Sequence, residues 1–249
     1  MCTVILAWQA LPDAPLVLAA NRDEVFARPS DPPLLLSPDP PRWGGRDRLA
    51  GGTWLAVDPA GRIGAVTNRH PGGQPPARDS SRRSRGALPL DLLAGDDAAA
   101  LKWMESLEPR DYNPVNVLYA SPTAAWCTSM DDEIGRRTLP LRPGVHVLTE
   151  QDADDVGDEK TQAIRRRATD AVAASSSADQ LVEAWREILR SHDAKYAGTP
   201  VCIHGGSHGT VSSSTVVVSE RAGVRYEHAE GPPCVTPFES VLDTGLRGS

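Results

Sequence analysis

The sequence opens with MCTVILAWQALPDAPLVLAANRDE, which covers residues 1–24 of 249. Residues 3–8 and residues 16–20 are short apolar runs of the kind found in buried strands. The segment between them contains Pro12 and Pro15, and proline in such a position is typical of a turn. The pattern therefore predicts a β-hairpin at the start of the chain.

This hairpin would bring Cys2 close to Arg22. If the turn is symmetric, paired residues have numbers that sum to about 24, and directly paired Cβ atoms lie about 5 Å apart. Asn21, Asp23 and Glu24 flank the arginine. The sequence therefore predicts a thiol that is held against a cation and two carboxylates.

The position of Cys2 suggests a specific chemical use. Methionine before a small residue is usually removed, and Cys2 would then carry both a thiol and a free α-amine. The reference pKa values are about 8.5 for the thiol and about 7.7–8.0 for the amine, so proton transfer between them is nearly thermoneutral. An N-terminal amine can serve as the base that activates such a nucleophile, and Arg22 would stabilise the thiolate. The alternative is that Cys2 is a small apolar residue that begins a buried strand.

A second hairpin is predicted further along the chain. Residues 53–57 and 62–67 would form its strands, because the sequence DPAG at 58–61 is typical of a tight turn. Asn68 follows directly after the second strand, where an asparagine can cap the transition from strand to loop.

Several short blocks resemble one known family. Residues 21–24, NRDE, resemble the signature of the NRDE family, whose eukaryotic members are called transport and Golgi organisation protein 2. That family resembles the Ntn hydrolases that cleave choloylglycine and penicillin V. The resemblance implies an α+β fold, a four-layer αββα sandwich with mostly antiparallel sheets, and chemistry at an amide bond. The other blocks occur in the family's order: MCT at 1–3, GRD at 45–47, GGTWL at 51–55, VTN at 66–68, SRG at 84–86, YNPVN at 112–116, and GT at 209–210 followed by SSST at 212–215.

The same resemblance implies roles for individual residues. Cys2 would be the nucleophile, and Asn21, Arg22 and Asp23 would hold and polarise its thiol and amine. Asn68 matches a position at which the resembled hydrolases keep an oxyanion donor, and the loss of one such donor typically costs about 10²–10³ in rate. Asn113 and Asn116 both lie where those hydrolases keep an oxyanion or nucleophile-orienting asparagine. Alternation along one strand lets at most one of them face the site, and Asn116 is the preferred candidate. The residues implied for substrate binding are Trp54, Arg85 and His208.

Two of these positions have open alternatives. Arg85 ends a basic, Gly- and Ser-rich loop, which is either an anion site or simply solvated. The family block Gly-Thr-Arg-Ser is Gly-Thr-Val-Ser here, so Val211 stands where an arginine is expected. Arg22 alone or His208 could fill that role, or the ligand is less anionic.

The rest of the chain gives a coarser pattern. Proline excludes the segment 29–41 from central strands and helix interiors, so a surface loop or a disordered linker is predicted there. Amphipathic spacing and capping residues predict helices. The predicted helices are 86–107 (broken at Gly95), 158–175 and 178–192; the further strands are 113–120, 124–128, 139–149, 213–219 and 224–228; the acidic stretch 150–158 is predicted to be a solvated loop.

One sequence feature suggests a metal site. Cys202 and His204 would share a strand face, and His208 follows a flexible Gly-Gly, so three N/S ligands could form an open zinc or haem-iron site. No fourth ligand is apparent from the sequence, and there is no CxxC or HExxH motif. The sequence therefore predicts no metal and no other cofactor.

Composition sets further limits. A length of 249 residues with 40% apolar content fits one large domain or two small ones. The family resemblance, whose blocks run from residue 1 to about residue 240, implies a single domain over 1–249. A net charge of −7 argues against general affinity for nucleic acid or anionic membranes. No apolar run approaches membrane-spanning length, no secretory signal is apparent, and four widely spaced cysteines are typical of reduced thiols. We therefore expect a cytoplasmic protein with no integral membrane segment and no nucleic-acid partner.

Two functions fit the sequence. The first is an N-terminal-cysteine hydrolase or acyltransferase that acts on a non-peptide amide or thioester of a small acylated metabolite. The second is a non-catalytic binding or trafficking protein for haem, a lipid or an acyl-thioester that uses the same cleft. Only the hydrolase requires Cys2 to be N-terminal.

Overall fold

The computed structural model describes residues 2–194 and 200–245. Within these residues the chain forms two units, and each contains one antiparallel sheet. The strands are β1 Cys2–Trp8, β2 Leu16–Val25, β3 Ser30–Pro38, β4 Pro41–Asp47, β5 Leu55–Val57, β6 Ile63–Asn68, β7 Val115–Ala120, β8 Ala125–Asp131, β9 Gly135–Pro140, β10 Gly144–Leu148, β11 His208–Ser219, β12 Gly223–Ala229 and β13 Glu239–Asp243. The helices are α1 Leu88–Leu92, α2 Asp97–Ser106, α3 Glu159–Ala174 and α4 Ala178–Leu189, and short 3₁₀ turns cover Pro71–Gly73, Arg85–Ala87 and Pro109–Asp111.

The first unit comprises residues 1–28, 143–148 and 154–249. Its sheet has the order β10-β1-β2-β11-β12-β13. The predicted N-terminal hairpin is confirmed with its register, because Cys2 pairs with Arg22 and Val4 pairs with Ala20. Strand β2 therefore lies between the strand that carries the candidate nucleophile and a strand almost 200 residues later in the chain.

Helices α3 and α4 pack on one face of this sheet. Both begin at predicted side-chain caps, since Asp158 accepts a hydrogen bond from the Thr161 N–H and Ser177 accepts one from the Gln180 N–H. The apolar stripe of α4 is buried, and Trp185 lies in its middle at 0% exposure. Burial of this stripe against alternate residues of β1, β2 and β11 forms the core of the unit.

The second unit comprises residues 29–142 and 149–153. Its sheet has the order β3-β4-β5-β6-β7-β8-β9, and the helices α1 and α2 cover a core that includes Leu88, Met104 and Tyr119. The predicted break at Gly95 is confirmed. Asp96 caps α2 by accepting a hydrogen bond from the Ala99 N–H.

Three sequence predictions are wrong in this fold. The Pro-rich segment is a hairpin rather than a loop, and its first strand is the edge strand β3, where proline removes no ladder hydrogen bond. Residues 139–149 do not form one strand, because the chain leaves β9 in one sheet at Pro140 and enters β10 in the other sheet at Gly144. The metal-motif segment around Cys202 is not a strand but a loop with one isolated bridge, His204 to Gly209.

The acidic stretch 150–158 is also not merely solvated. Glu150 is buried, Asp152 forms ion pairs with Arg69 and Arg137, and Asp154 bonds His146 Nδ1 at 2.7 Å. These carboxylates therefore anchor the loop. The prediction of one domain over 1–249 stays a prediction.

Candidate active site

The first unit carries a row of polar residues across three neighbouring strands. Cys2 of β1 pairs with Arg22 of β2, and Arg22 pairs on its other side with Ser212 of β11. Directly paired residues of antiparallel strands point to the same face of the sheet. The thiol, the guanidinium group and the hydroxyl therefore share a face, and it is the face opposite to the one that α3 and α4 cover.

The Cys2 thiol lies in a mixed electrostatic environment. Cys2 is half-buried, and desolvation raises the pKa of its thiol above the usual value. The positive charge of the chain terminus, a hydrogen bond from the Asp23 backbone N–H and the charge of Arg22 act in the opposite direction on this pKa. Of these effects that of Arg22 is the smallest, so the arginine supports the thiolate without outweighing burial.

Arg22 is a buried cation at 6% exposure. Its Nη2 lies 3.8 Å from Glu24 Oε2, and the same carboxylate is 3.6 Å from Arg28 Nε. The charge of Arg22 also reaches His228, whose pKa is lowered to about 4 by burial and by this arginine. His228 is therefore neutral at pH 7, and its Nδ1 lies 3.0 Å from the hydroxyl oxygen of Ser214.

Asp23 lies on the other face of the sheet from Cys2, because successive side chains of a strand alternate. It is 3% exposed, and its Oδ1 accepts a 2.6 Å hydrogen bond from Thr210 Oγ1. Burial raises the pKa of this carboxyl group, although the hydrogen bond from Thr210 opposes that shift. The backbone N–H of Asp23 thus contacts the thiol, while its carboxylate is held by Thr210 on the opposite face of the sheet.

Asn21 shares the face of Asp23 and ties the sheet to its helical layer. Its Nδ2 donates to the carbonyl oxygens of Leu189 at 2.9 Å and Val201 at 3.0 Å. Both amide protons are therefore engaged in positioning the end of α4 and the loop that follows it. Among the residues that the structure describes, the buried Oδ1 of Asn21 has no hydrogen-bond partner.

The departure from the family block coincides with an irregularity in β11. Thr210 pairs with Asp23 and Ser212 pairs with Arg22, so Val211 is the extra residue of a β-bulge. Because of the bulge, Thr210 and His208 share the face of Asp23 rather than that of Cys2. His208 pairs with Val25, and its charge acts on Asp23.

The remaining predicted site residues belong to the second unit. Asn68 ends β6, and Asn116 lies beside it in β7 opposite Thr67. Asn116 Nδ2 donates to the backbone carbonyl oxygen of Gln151 at 2.7 Å and to Thr67 Oγ1 at 3.2 Å. Its amide protons are therefore used in hydrogen bonds within the second unit. The oxyanion role stays a prediction for both asparagines.

The two predicted substrate-binding residues of this unit also make structural contacts. Arg85 Nη1 donates to the Pro114 carbonyl oxygen at 2.8 Å. The carbonyl oxygen of Trp54 accepts a 3.0 Å hydrogen bond from the Val66 N–H. The indole ring of Trp54 is half-buried and packs so close to Gly45 that a Cβ at that position would collide with the ring. Their binding roles stay predictions.

Four residues of the first unit could hold a metal ion. The ligand atoms of His192, Cys202, His204 and Cys234 all lie within 4.8 Å of one another. This group keeps two residues of the predicted triad and does not include His208. No spacing pattern in the sequence marks His192 or Cys234 as ligands, because they lie ten residues before and 32 residues after Cys202.

The structure also places Ser212, Ser214 and His228 on the face of Cys2, and the sequence alone does not predict this. Ser212 and Ser214 stand in a recognised block, and period-2 alternation could have placed them beside Arg22 once β11 was known to pair with β2. His228 is brought in only by the pairing of β12 with β11.

Comparison with known proteins gives relatives of one kind. The Transport and Golgi organization 2 homolog of Mus musculus is 32% identical over 152 residues, which is 54% of this chain and 50% of that protein. The Homo sapiens homolog is 31% identical over 121 residues, 44% of this chain and 40% of that protein. The chain thus spans half or less of these two relatives. The Bos taurus homolog is 26% identical over 250 residues, 85% of this chain and 84% of that protein.

Solved structures with the same fold include two hydrolases. A Caenorhabditis elegans N-acylethanolamine-hydrolyzing acid amidase ortholog has a TM-score of 0.52 at 12% identity, over 87% of this chain and 92% of that one. The R18L variant of conjugated bile acid hydrolase from Clostridium perfringens has a TM-score of 0.53 at 10% identity, over 100% and 99%. At these identities the likeness shows the fold alone, and it confirms the predicted Ntn-hydrolase-like α+β class.

The family comparison covers most of the sequence. The family model described as Transport and Golgi organisation 2 matches residues 1–229, which include the Cys2–Arg22 pair, the bulge at Val211 and the whole of β11. The predicted family resemblance is confirmed, and the chain belongs to the Transport and Golgi organisation 2 family.

Proposed function

We propose that this protein is an amidohydrolase whose nucleophile is the thiol of Cys2, exposed as the first residue after removal of Met1. The substrate class is a non-peptide amide, or a thioester, of a small acylated metabolite. The two solved structures with this fold are named as an N-acylethanolamine-hydrolyzing acid amidase ortholog and a conjugated bile acid hydrolase, and these names support the substrate class. We place the activity in the cytoplasm, where the cysteines would stay reduced.

The observation that carries the proposal is the register of β1 and β2. It sets Cys2 directly opposite Arg22, and the Asp23 N–H donates toward the sulfur. A rigid sheet therefore holds the thiol next to a buried cation, which is the setting in which a cysteine becomes nucleophilic. Residues held by a sheet are also more precisely placed than residues of a loop.

The chemistry follows from these groups. The α-amine of Cys2 takes the thiol proton, and the sulfur attacks the acyl carbon of the substrate. The C–N bond then breaks, the leaving amine takes a proton from the α-ammonium group, and a thioester remains on Cys2. A water molecule, deprotonated by the same amine, attacks the thioester; the carboxylic acid leaves and the thiol is restored. Arg22 stabilises negative charge on the sulfur in both halves of the reaction.

The test combines mass measurement and activity. We expect the intact mass of protein expressed without an N-terminal tag to lack Met1, and a panel of acyl-amides and acyl-thioesters to be cleaved by this protein. Cys2→Ala should abolish turnover and leave the thermal midpoint nearly unchanged. A variant with an uncleavable N-terminal extension should fold but lack activity, because its amine is displaced. Retention of Met1 in fully active protein, or turnover by Cys2→Ala, would refute the nucleophile.

One observation favours a second candidate, a non-catalytic binding protein for a lipid, haem or an acyl-thioester. The net environment raises the pKa of the Cys2 thiol, which suits a neutral contact better than a thiolate. This candidate predicts ligand binding that tolerates both Cys2→Ala and the N-terminal extension. Binding titrations on these two variants therefore separate it from the hydrolase.

A further inference from the structure

We propose that His192, Cys202, His204 and Cys234 form a structural zinc site that takes no part in the chemistry of the proposed hydrolase. Two thiolates and two imidazoles are a ligand set that tetrahedral Zn²⁺ prefers. The four residues come from three places: the loop after α4, the loop before β11 and the segment after β12. The N–H groups of Val201 and Cys202 already donate to the Ser191 carbonyl oxygen. A metal bound there would add a link from these segments to Cys234.

The distances between ligand atoms fit one tetrahedral ion. With metal–ligand bonds of about 2.3 Å to sulfur and about 2.0–2.1 Å to nitrogen, tetrahedral geometry separates two sulfurs by about 3.8 Å and a sulfur from a nitrogen by about 3.6 Å. The Cys202 and Cys234 sulfurs are 3.6 Å apart. His204 Nε2 lies 3.8 Å from the Cys202 sulfur and 3.2 Å from the Cys234 sulfur.

The fourth ligand, His192, is held against the same group. Its Nδ1 lies 3.2 Å from the Cys202 carbonyl oxygen, and its ring centroid lies 5.0 Å from that of His204. In zinc sites one ring nitrogen binds the metal while the other is oriented by a carbonyl or carboxylate group, and the Cys202 carbonyl offers such a contact. Cys202 is buried, whereas both histidines are exposed. The group is therefore anchored in the protein at Cys202 and open to solvent at the histidines, where an ion can enter.

The local backbone is shaped to hold this arrangement. Gly205 follows His204 in a turn so tight that a Cβ there would lie 2.3 Å from the His208 carbonyl oxygen. The turn brings His204 back to form its bridge with Gly209. It therefore fixes His204 between the buried Cys202 and the start of β11.

The site would stabilise the segment that supports the candidate active site. The Val201 carbonyl oxygen accepts a hydrogen bond from Asn21, and the Ile203 N–H donates to Thr210 Oγ1, which in turn donates to Asp23. A metal ion bound through Cys202 and His204 would hold both of these contacts in place. All four ligands come from protein and leave no open position, so the ion's role is structural.

Zinc binding at this site balances in charge and in the number of protons. Zn²⁺ displaces one proton from each thiol, two neutral imidazoles complete the shell, and the resulting complex carries no net charge. Two protons are released per ion bound, so affinity rises with pH over the range in which the thiols are protonated.

The test uses the full-length protein, purified under reducing conditions without chelator. We expect about one zinc ion per chain by elemental analysis, and Co²⁺ substitution should give the visible bands of a tetrahedral ion with thiolate-to-metal charge transfer. Cys234→Ser and His204→Ala should lose most of the bound metal, and His204→Cys should retain it. Cys127→Ser removes a thiol from the other unit and should bind zinc like the parent protein.

Stability gives a second readout that does not depend on any substrate. Removal of zinc with a strong chelator should lower the thermal midpoint of the parent and of Cys127→Ser, and should leave that of Cys234→Ser unchanged. Metal-free reduced protein that binds neither Zn²⁺ nor Co²⁺ would overturn the proposal. So would a Cys202–Cys234 disulfide that persists in protein purified anaerobically with reductant, or Co²⁺ spectra that do not change in the variants. Failure of the amidase assays would not affect these results.

Discussion

Arg22 is the residue whose environment most directly tests the candidate active site. Its charge lowers the pKa of the Cys2 thiol, although burial has the larger, opposite effect. Arg22→Gln should therefore slow alkylation of Cys2 at neutral pH, by less than about tenfold, since one pKa unit changes the thiolate fraction about tenfold and the effect of Arg22 on this pKa is small. Iodoacetamide kinetics followed by mass spectrometry would measure this.

The matched control for that measurement is Arg28→Gln. Arg28 lies 3.6 Å from Glu24, as the second cation of the same small cluster. Arg28→Gln should leave the rate of Cys2 alkylation nearly unchanged. Equal rates for the parent protein and Arg22→Gln, with both folded by circular dichroism, would show that Arg22 does not stabilise the thiolate.

His228 gives the protein a pH-dependent stability. Its pKa is about 4 in the folded protein against 6.5 when exposed, so between these values the unfolded chain binds the extra proton. Stability should fall as pH decreases through this window, by about 2 kcal/mol between pH 7 and pH 5. Urea unfolding at the two pH values should show a smaller loss for His228→Gln than for the parent. An equal loss in both would contradict the assignment.

The sequence predicts individual site residues well only where the contact is local. Cys2 faces Arg22 because a seven-residue connection fixes the hairpin register, and simple arithmetic finds the pair. His228 joins the same face through β11, which begins 183 residues after β2 ends. The family blocks mark positions such as Asn21, but they do not show that its amide protons are spent on Leu189 and Val201.

Among the elements, the loop 149–153 shows how charge can anchor a segment that looks solvated. Arg69 is 8% exposed, and it pairs with Asp131 at 2.7 Å and with Asp152 of this loop. Although burial opposes it, hydrogen bonds from Arg69 and from two backbone N–H groups hold the pKa of Asp131 below its usual range. The pairing therefore forms a buried network rather than a surface contact.

Removal of the cation should cost far more than a surface charge would. Arg69→Met leaves Asp131 buried without its partner, and we expect a loss of about 3 kcal/mol or more in the free energy of unfolding. Arg78→Met, which removes an exposed arginine from the following basic loop, should change it by less than about 0.5 kcal/mol. Denaturant titrations would measure the free energy of unfolding of both variants. A similar loss in Arg69→Met and Arg78→Met would show that the network contributes little to stability.

Elements with strong local signals are predictable, and those defined by sheet partners are not. The helices α3 and α4 carry caps and an apolar stripe, so their limits are predicted within three residues. Residues 139–149 are a plausible single strand by composition. Only the partners, β8 for one half and β1 for the other, reveal two strands in two sheets. The edge strand β3 is missed because its prolines argue against any strand when the sheet order is unknown.

For the whole molecule, the position of β11 decides whether the first sheet can form. It lies between β2 and β12, so its loss would expose the long ladder of β2 and the apolar face beneath it. A chain that ends at Ser207 should therefore be insoluble. A chain that ends at Phe238 loses the edge strand β13 and the residues after it, and should remain folded. Expression and gel filtration of the two would show this, and soluble, folded protein from the shorter chain would contradict it.

The bulge at Val211 has a consequence for how relatives should vary. Below the bulge, His208 and Thr210 share a face with Val25 and Asp23; above it, Ser212 shares a face with Arg22. In an alignment of the family, substitutions at the positions of 208 and 210 should therefore covary with those at 25 and 23, and substitutions at 212 with those at 22. A strand without the bulge, in the register of Ser212 and Arg22, would instead pair position 210 with position 24 and position 208 with position 26.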